Sequence, residues 1–411
     1  MDFQTIIAER YMVADFIAII GDKFPLLAKY KETEQDSQWH AEGDVEIHTD
    51  MVLTQVYDFF EADLAQWPLN EKAIMVMGAL FHDYAKPICT KLREINGIDR
   101  VVAPNHENKG ASLLFYTDPP LGISVSQWQE AIALTALHHI PKLLVNRDKP
   151  KADYLALSTQ GTTCEKLFWL EQADMRGRTC EDKDEQIFIL DMFADNAKEY
   201  GIWDTSATDN EYQAFVDKIM NEFPDASKEA QHRVLAQAIY HYEQGSIFML
   251  EEELARAYQY IDKQSHVVVL CGVSGTGKTS ITADFAARSY EIISLDDIRV
   301  SHFKFTENQK HNDNVVRIAK ERLKDALREK RNVVYDATSL RRDFRTAIVG
   351  LSTNYSAFTE IVVVHKNGSD IKKDNKDRAH PVPDDVLKSQ FEQLQLPEHG
   401  DAHVVNFLYG D

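Results

Sequence analysis

The stretch His-Val-Val-Val-Leu-Cys-Gly-Val-Ser-Gly-Thr-Gly-Lys-Thr-Ser at 266–280 leaves this chain few ways to fold. Its apolar run 267–271 reads as a strand buried on both faces, which belongs in a parallel sheet covered by helices. The strand feeds G-x-x-x-x-G-K-T, with Gly272, Gly277, Lys278 and Thr279 at the defining positions and Ser274, Gly275, Thr276 and Ser280 among and after them. Glycines let consecutive backbone amides curl around an anion, and the helix that follows aims its positive end at the same point. Lys278 then reaches β- and γ-phosphates while the Thr279 hydroxyl ligates Mg2+, so the pattern predicts a bound nucleoside triphosphate, ATP or GTP, with Mg2+.

Beyond the loop the pattern alternates. Strands are expected over 290–294, 332–335 and 360–364, with helices over 314–328, 341–351 and 384–393. That alternation implies a small parallel sheet flanked by helices. Before the loop nearly every segment has helical spacing, at 6–20, 49–64, 71–85, 126–139 and 164–175, with prolines at the joints. A further amphipathic stretch at 247–261 leads into the first strand. The expectation is a multidomain chain: an all-α domain over 1–180, a helical bridge over 181–265, and an α/β P-loop domain with a parallel sheet over 266–411.

The net charge of −21 is unevenly spread, because residues 266–411 hold 21 Lys+Arg against 21 Asp+Glu. All the excess acid therefore lies in the helical part, which disfavours tight non-specific binding to long duplexes and leaves strand ends or small substrates open. Cys89, Cys164, Cys180 and Cys271 show no CxxC spacing, as expected of reduced thiols in a cytosolic protein. No apolar run is long enough to cross a membrane, and Asp2, Glu9, Arg10 and Asp15 interrupt the opening segment, unlike a secretory signal.

The helical part carries a second constellation: His40, His48, the pair His82-Asp83, His106, the pair His138-His139, and Asp174. Imidazoles with carboxylates suit a divalent ion such as Mn2+, Fe2+, Co2+, Ni2+ or Zn2+. The run FHDYAKP, with Lys86 three residues after Asp83, resembles the HD phosphohydrolase superfamily, as do the strings WHAEGDVEIHT and NHENKGAS. The resemblance implies one ion held by His48, His82, Asp83 and Asp174. His106, His138 and His139 look like the additional ligands of two-metal members, with Asp83 bridging, and spacing leaves open whether His138, His139 or both bind. Lys86 would neutralise charge on the phosphate, and His40 is either a substrate contact or a neighbour of a helix cap.

On the acceptor side of the phosphate loop, SLDDIRV places Asp296 and Asp297 directly after a strand, followed by Arg299. A carboxylate there can take the proton of an attacking hydroxyl, or the pair can simply cap a helix. VVYDATSLRR adds Asp336, suited to holding Mg2+ or anchoring Arg299, and Arg342 as a further candidate. NKDRAHPVPDDVL offers Arg378 in a basic run with Lys372, Lys373 and Lys376. This ordered set resembles the kinase domain of phage-type polynucleotide 5′-kinases. It implies Asp296 as general base, Arg299 on the acceptor's phosphate and Arg378 on a lid; Asp374 stands where relatives often carry a second lid arginine. The two halves together resemble the bacterial end-healing enzymes of the HD-Pnk type. That implies 5′-hydroxyl phosphorylation of RNA or DNA ends and removal of a 2′,3′-cyclic phosphate or 2′-phosphate, with a separate ligase acting afterwards and a homodimer possible through 181–265. Two other readings stay open: a small-molecule or nucleotide kinase joined to an HD nucleotidase, and an NTP-driven nucleotide sensor.

Overall fold

The computed structural model describes residues 2–147, 150–209, 211–261, 263–303, 312–377 and 381–409. The chain divides into two compact units, Met1–Asp209 and Asn210–Asp411. Of the stretch expected to bridge, residues up to 209 therefore pack with the first unit and the rest with the second. Among the described residues no helix is long and apolar enough to cross a membrane.

The first unit is helical around a core in which Phe81 is the pivot. Its ring lies 4.7 Å from Phe24 and 5.4 Å from both Tyr84 and Trp128, and the Trp128 indole donates to Thr117 O at 2.9 Å. This aromatic group is buried. It anchors the end of helix Leu69–Phe81 at the point where His82 and Asp83 leave it. Helices Val45–Glu61, Val125–Leu137 and Cys164–Arg176 surround that point.

Three expectations for this unit change. The helix expected over 6–20 is two helices, Phe3–Ala8 and Val13–Ile20. Arg10 between them has a φ of 51°, the Tyr57 hydroxyl donates to the Tyr11 carbonyl at 2.8 Å, and the Asp15 carboxylate takes the Met12 N–H at 2.9 Å, which starts the second helix afresh. The segment expected as helix over 71–85 ends at Phe81, with His82 as its C-cap. Strands β1 (Lys91–Ile95) and β2 (Ile98–Val102) form an antiparallel hairpin in a region expected to be all helix.

The second unit opens with helices Glu211–Glu222, Lys228–Glu243 and Glu251–Ala257. The last covers only part of the amphipathic stretch expected over 247–261. Then come β3 (His266–Cys271), β4 (Glu291–Ser294), β5 (Val333–Asp336), β6 (Phe358–His365) and β7 (Val404–Tyr409). All pair in parallel, in the order β4-β5-β3-β6-β7. β3 is buried at every residue, as its apolar run demands, while β7 at the edge is half-exposed and was not anticipated. The order puts the carboxyl ends of β3, β4 and β5 side by side, where ligands bind in open α/β sheets.

Candidate functional site

In the first unit, helix ends and turns bring the histidines together. His48, His82 and Asp174 set ligand atoms within 4.8 Å of one another, and so do His106, His138 and His139. Asp83 stands between the two groups. Its Oδ2 lies 3.2 Å from His82 Nε2 and 3.7 Å from His48 Nε2, while its Oδ1 lies 3.0 Å from His106 Nε2. His48, His82, Asp83, His106, His138 and Asp174 are all buried.

The protonation pattern follows from the other ring nitrogens. Nδ1 of His82 donates to Ala79 O at 2.7 Å, that of His106 to Ala103 O at 2.7 Å, and that of His138 to Thr135 O at 2.8 Å. A carbonyl only accepts, so each Nδ1 carries a proton and each ring turns its Nε2 inward, a bare lone pair whenever the ring is neutral. His139 Nδ1 is committed likewise to Glu107 Oε1 at 2.7 Å. The result is acceptor facing acceptor. His82 Nε2 lies 3.3 Å from His48 Nε2, and His138 Nε2 has no hydrogen-bond partner among the described residues, while of the Asp83 oxygens only Oδ2 has a permanent cation, Lys86 at 2.7 Å. Buried polar atoms without partners are costly, and a divalent cation is the species that satisfies several converging lone pairs at once. The residues present fit such an ion.

Electrostatics agree. Burial, with the neighbouring His139 and His82, holds His138 well below the usual imidazole range, so it stays neutral. His139 is held low by burial and by Lys142. Burial also works against charge on Asp83, but His82 and Lys86 outweigh it and keep the carboxylate ionised. His82 shows the mirror image: burial opposes its charged form, Asp83 and Asp174 prevail, and its affinity for a proton rises. That site attracts positive charge.

A ring of carboxylates and cations lies behind the ligands, and residue spacing alone did not single it out. Glu42 Oε1 accepts from His40 Nδ1 at 2.8 Å and lies 3.1 Å from His48 Nδ1. His40 is therefore behind the cluster and faces His48 through Glu42. Glu42 also accepts from Thr179 N–H at 2.8 Å, tying it to the turn just after Asp174. Arg178 holds Asp174, and Lys142 sits 2.8 Å from Glu171, whose carboxyl burial pushes up to about 7. Lys86 reaches Asp83 Oδ2 at 2.7 Å and Gln35 Oε1 at 2.6 Å. Glu42 lies inside the WHAEGDVEIHT string and Arg178 one helical turn after Asp174, so those two left a trace in the sequence; Lys142 left none.

In the second unit the phosphate loop joins β3 to helix Lys278–Ala287. Gly275 and Gly277 take φ of +94° and +95°, and a Cβ on Gly275 would meet Ile371 Cγ2 at 3.4 Å. The contact alone would admit a Cβ; it is the positive φ at both positions that calls for glycine. The Lys278 ammonium curls over the loop to Gly272 O and Val273 O at 2.9 and 2.8 Å, and Thr276 Oγ1 donates to Val273 O. Thr279 and Ser280 open the helix just beyond Lys278.

Asp296 and Asp297 lie in the first turn of helix Leu295–Phe303. The capping acceptor is Ser294 Oγ, which takes the Asp297 N–H at 3.2 Å, so the Asp296 carboxylate is not spent as a cap. Asp296 is 80% exposed and pairs with Arg299. Ser294 is directly opposite Asp336 in the β4–β5 register. Burial raises Asp336, Lys278 opposes this, and Asp296 and Asp297 add to it, which places all four in one electrostatic neighbourhood. Arg342 bonds instead to Glu398 at 2.8 Å and Asp401 at 2.9 Å, anchoring the segment that leads into β7. Arg378 lies outside the described residues; Lys372, Lys373 and Lys376 are on helix Gly368–Lys376, where Asp374 pairs with Lys366.

Two residues that are not among the sequence candidates also support this site. Gln390 Oε1, on helix Asp384–Gln393, accepts the Ser274 N–H of the phosphate loop at 2.7 Å. Asn375 bonds both ways with the Val382 backbone, at 2.8 and 2.9 Å.

No curated protein matches the chain. Residues 267–397 match the AAA_33 family model, an AAA domain. With its phosphate loop and five-stranded parallel sheet, the C-terminal part of the chain is a P-loop kinase-like domain that takes a nucleoside triphosphate with Mg2+.

Proposed function

We propose that the chain heals nucleic-acid ends, RNA above all. The kinase, assigned to 266–411, phosphorylates a 5′-hydroxyl from an NTP, and an HD phosphohydrolase, assigned to 1–180, removes a 2′,3′-cyclic phosphate or 2′-phosphate. The observation that carries the second activity is Asp83, with one carboxylate oxygen turned to His48 and His82 and the other to His106. A shared carboxylate between two imidazole groups is the arrangement that holds a pair of divalent ions.

His48, His82, Asp83 and Asp174 would hold one ion, and Asp83, His106, His138 and His139 a second. Ions there supply Lewis acidity toward a phosphoryl oxygen. The chain's own residues keep His138 and His139 neutral and fix the rings of His82, His106, His138 and His139 through Nδ1. Lys86 keeps positive charge beside Asp83 Oδ2 for the phosphate.

In the kinase, Lys278 leaves its carbonyl contacts for the β- and γ-phosphates. Asp296 takes the proton of the 5′-hydroxyl, and Arg299, already against Asp296, contacts the acceptor's phosphate. Asp336, in the same electrostatic neighbourhood as Lys278 and Asp296, would help to hold the Mg2+.

The test is label transfer from γ-labelled ATP or GTP to a 5′-OH oligonucleotide, run beside hydrolysis of a 2′,3′-cyclic-phosphate oligonucleotide with added Mn2+. Asp296→Ala abolishes the first and spares the second; Asp83→Ala does the reverse. No transfer by the parent, or an Asp296→Ala variant as active as the parent, ends the kinase half. Mononucleotide acceptors outperforming oligomers would assign the site to a small-molecule kinase instead.

A further inference from the structure

Between the two residues that touch the histidine cluster from the 35–42 loop lies an aromatic side chain that the proposed chemistry does not use. Gln35 accepts from Lys86, and His40 bonds to Glu42 behind His48. Trp39 lies between them in sequence, and its side chain is 41% exposed. Its indole is not loose. The Arg100 guanidinium lies 5.2 Å from the ring centre, and Arg100 is held by Asp36 at 3.1 Å and by Gln38. Asp36 is itself buried and accepts from the N–H groups of Gln38, Trp39 and Val101 at 3.0, 3.3 and 3.2 Å. One carboxylate thus fixes the Trp39 turn to the β1–β2 hairpin.

That hairpin has an uneven charge. Arg93 stands directly opposite Arg100, and Lys91 opposite Val102, so three cations share one face; Glu94 and Asp99 oppose each other on the other face. Like charges directly opposite are destabilising unless something of opposite sign lies over them. Asp36 relieves Arg100, while Lys91 and Arg93 are exposed. In a chain of net charge −21, a basic face beside a half-exposed tryptophan at a phosphoester site is a feature to be explained.

We infer that Trp39 and the Lys91–Arg93–Arg100 face bind the single-stranded 3′ end of the polynucleotide, with a base stacked on the Trp39 indole and backbone phosphates on Lys91 and Arg93. The inference rests on the phosphohydrolase reading of the histidine site and specifies its substrate as an oligomer. Arg100 stiffens the platform from one side, and a base adds to the other. Stacking is indifferent to base identity, so the site accepts any terminal sequence.

The experiment compares the parent with Trp39→Ala, Trp39→Phe and Arg93→Gln. It measures the ratio of kcat/KM for a 2′,3′-cyclic-phosphate 10-mer to that for a p-nitrophenyl phosphoester, which has no base. Trp39→Ala is expected to lower the ratio about tenfold through KM, in line with the usual loss per stacked base. Trp39→Phe restores most of it, and Arg93→Gln flattens the salt dependence of KM. Equal losses on both substrates, no change in the ratio, or an abasic-ended oligomer performing as well as an intact one would each overturn the inference. A second readout needs no turnover. A 5-iodouridine-ended oligonucleotide, photo-crosslinked to the full chain and digested, is expected to mark the Trp39 peptide, and adducts confined to other peptides would refute the platform. If the parent hydrolyses neither substrate yet crosslinks at Trp39, the reading of the histidine site has failed and the strand-binding face has not.

Discussion

Gly177→Ala tests whether the histidine site depends on how closely two helices approach. Gly177 follows the helix Cys164–Arg176 that carries Asp174, and it abuts the helix Val45–Glu61 that carries His48. A Cβ at 177 would lie 2.8 Å from Val52 N and 3.0 Å from both Ala173 O and Val52 Cγ2, where ordinary contact begins at 3.4 Å. The first is backbone, which no rotamer change can move aside. The two segments must therefore separate by about 0.6 Å, the shortfall between those two distances. Overpacking of this kind costs about 1–3 kcal/mol, which lowers the melting of a unit of some 200 residues by roughly 2–12 °C.

The same displacement acts on the ligands. His48 Nε2 and Asp174 Oδ1 now stand 3.0 Å apart, and the turn after Gly177 also holds Glu42 through Thr179. Metal–ligand distances tolerate only about 0.2 Å, and disturbing the groups that orient ligands typically weakens metal binding by about 10–100-fold. The assay is calorimetric titration of the full chain with Mn2+, alongside thermal unfolding with and without the ion. Kinase label transfer serves as an internal control and is expected to hold at the parental rate. A Gly177→Ala protein with parental melting and parental Mn2+ affinity would refute the reasoning, because the close approach would then carry no constraint.

Two further outcomes concern the second unit. Gln390→Ala removes the acceptor for the Ser274 amide of the phosphate loop; with a net hydrogen bond worth about 0.5–1.5 kcal/mol, NTP affinity should fall roughly two- to tenfold in a direct nucleotide titration, and unchanged affinity would show the loop holds its shape without it. His403 is pushed down to about 3 by burial, and its Nδ1 accepts the Thr359 N–H at 3.0 Å, so the folded protein keeps it neutral. Its folded value lies below the unfolded one, so the unfolded chain binds the extra proton and stability falls as pH drops below about 6.5, by roughly 1.4 kcal/mol at pH 5.5. Denaturant unfolding of the parent against His403→Gln from pH 7.5 to 5.5 should show the parent losing about 1.4 kcal/mol more than the variant, since the other depressed histidines contribute equally to both.

What could be read in advance, and what could not, divides by the range of the forces involved. The phosphate loop is legible because strand, glycines, lysine and helix are contiguous, and each has its own local reason. The β1–β2 hairpin has a local signal: Asn96 and Gly97, with φ of 54° and 79°, form the two-residue Asn-Gly turn that favours a hairpin. β7 had none. Its residues are half-exposed, and it exists because β6 offers an open edge. The break at Arg10 has a local part, the Asp15 carboxylate on the Met12 N–H, and a tertiary part, the Tyr57 hydroxyl on the Tyr11 carbonyl, 46 residues along the chain.

The histidine set shows why residue types can be legible while their arrangement is not. His82 and His138 each follow the last residue of a helix, and each bonds to the carbonyl three residues back, Ala79 or Thr135. Those carbonyls belong to the final turn, where the backbone has no amide left to pair with them. The helix end thus fixes the ring and its tautomer without help from any other side chain. His48 and His139 have no such carbonyl as Nδ1 partner and face Glu42 and Glu107 instead. The first pair is accessible to anyone who can place a helix terminus. The second depends on carboxylates delivered by the fold, one of them 32 residues distant in sequence. Replacing Glu42 or Glu107 by Gln should therefore disorder its own histidine while leaving His82 and His138 in place, a difference that imidazole resonances in NMR would resolve and that equal broadening of all of them would contradict.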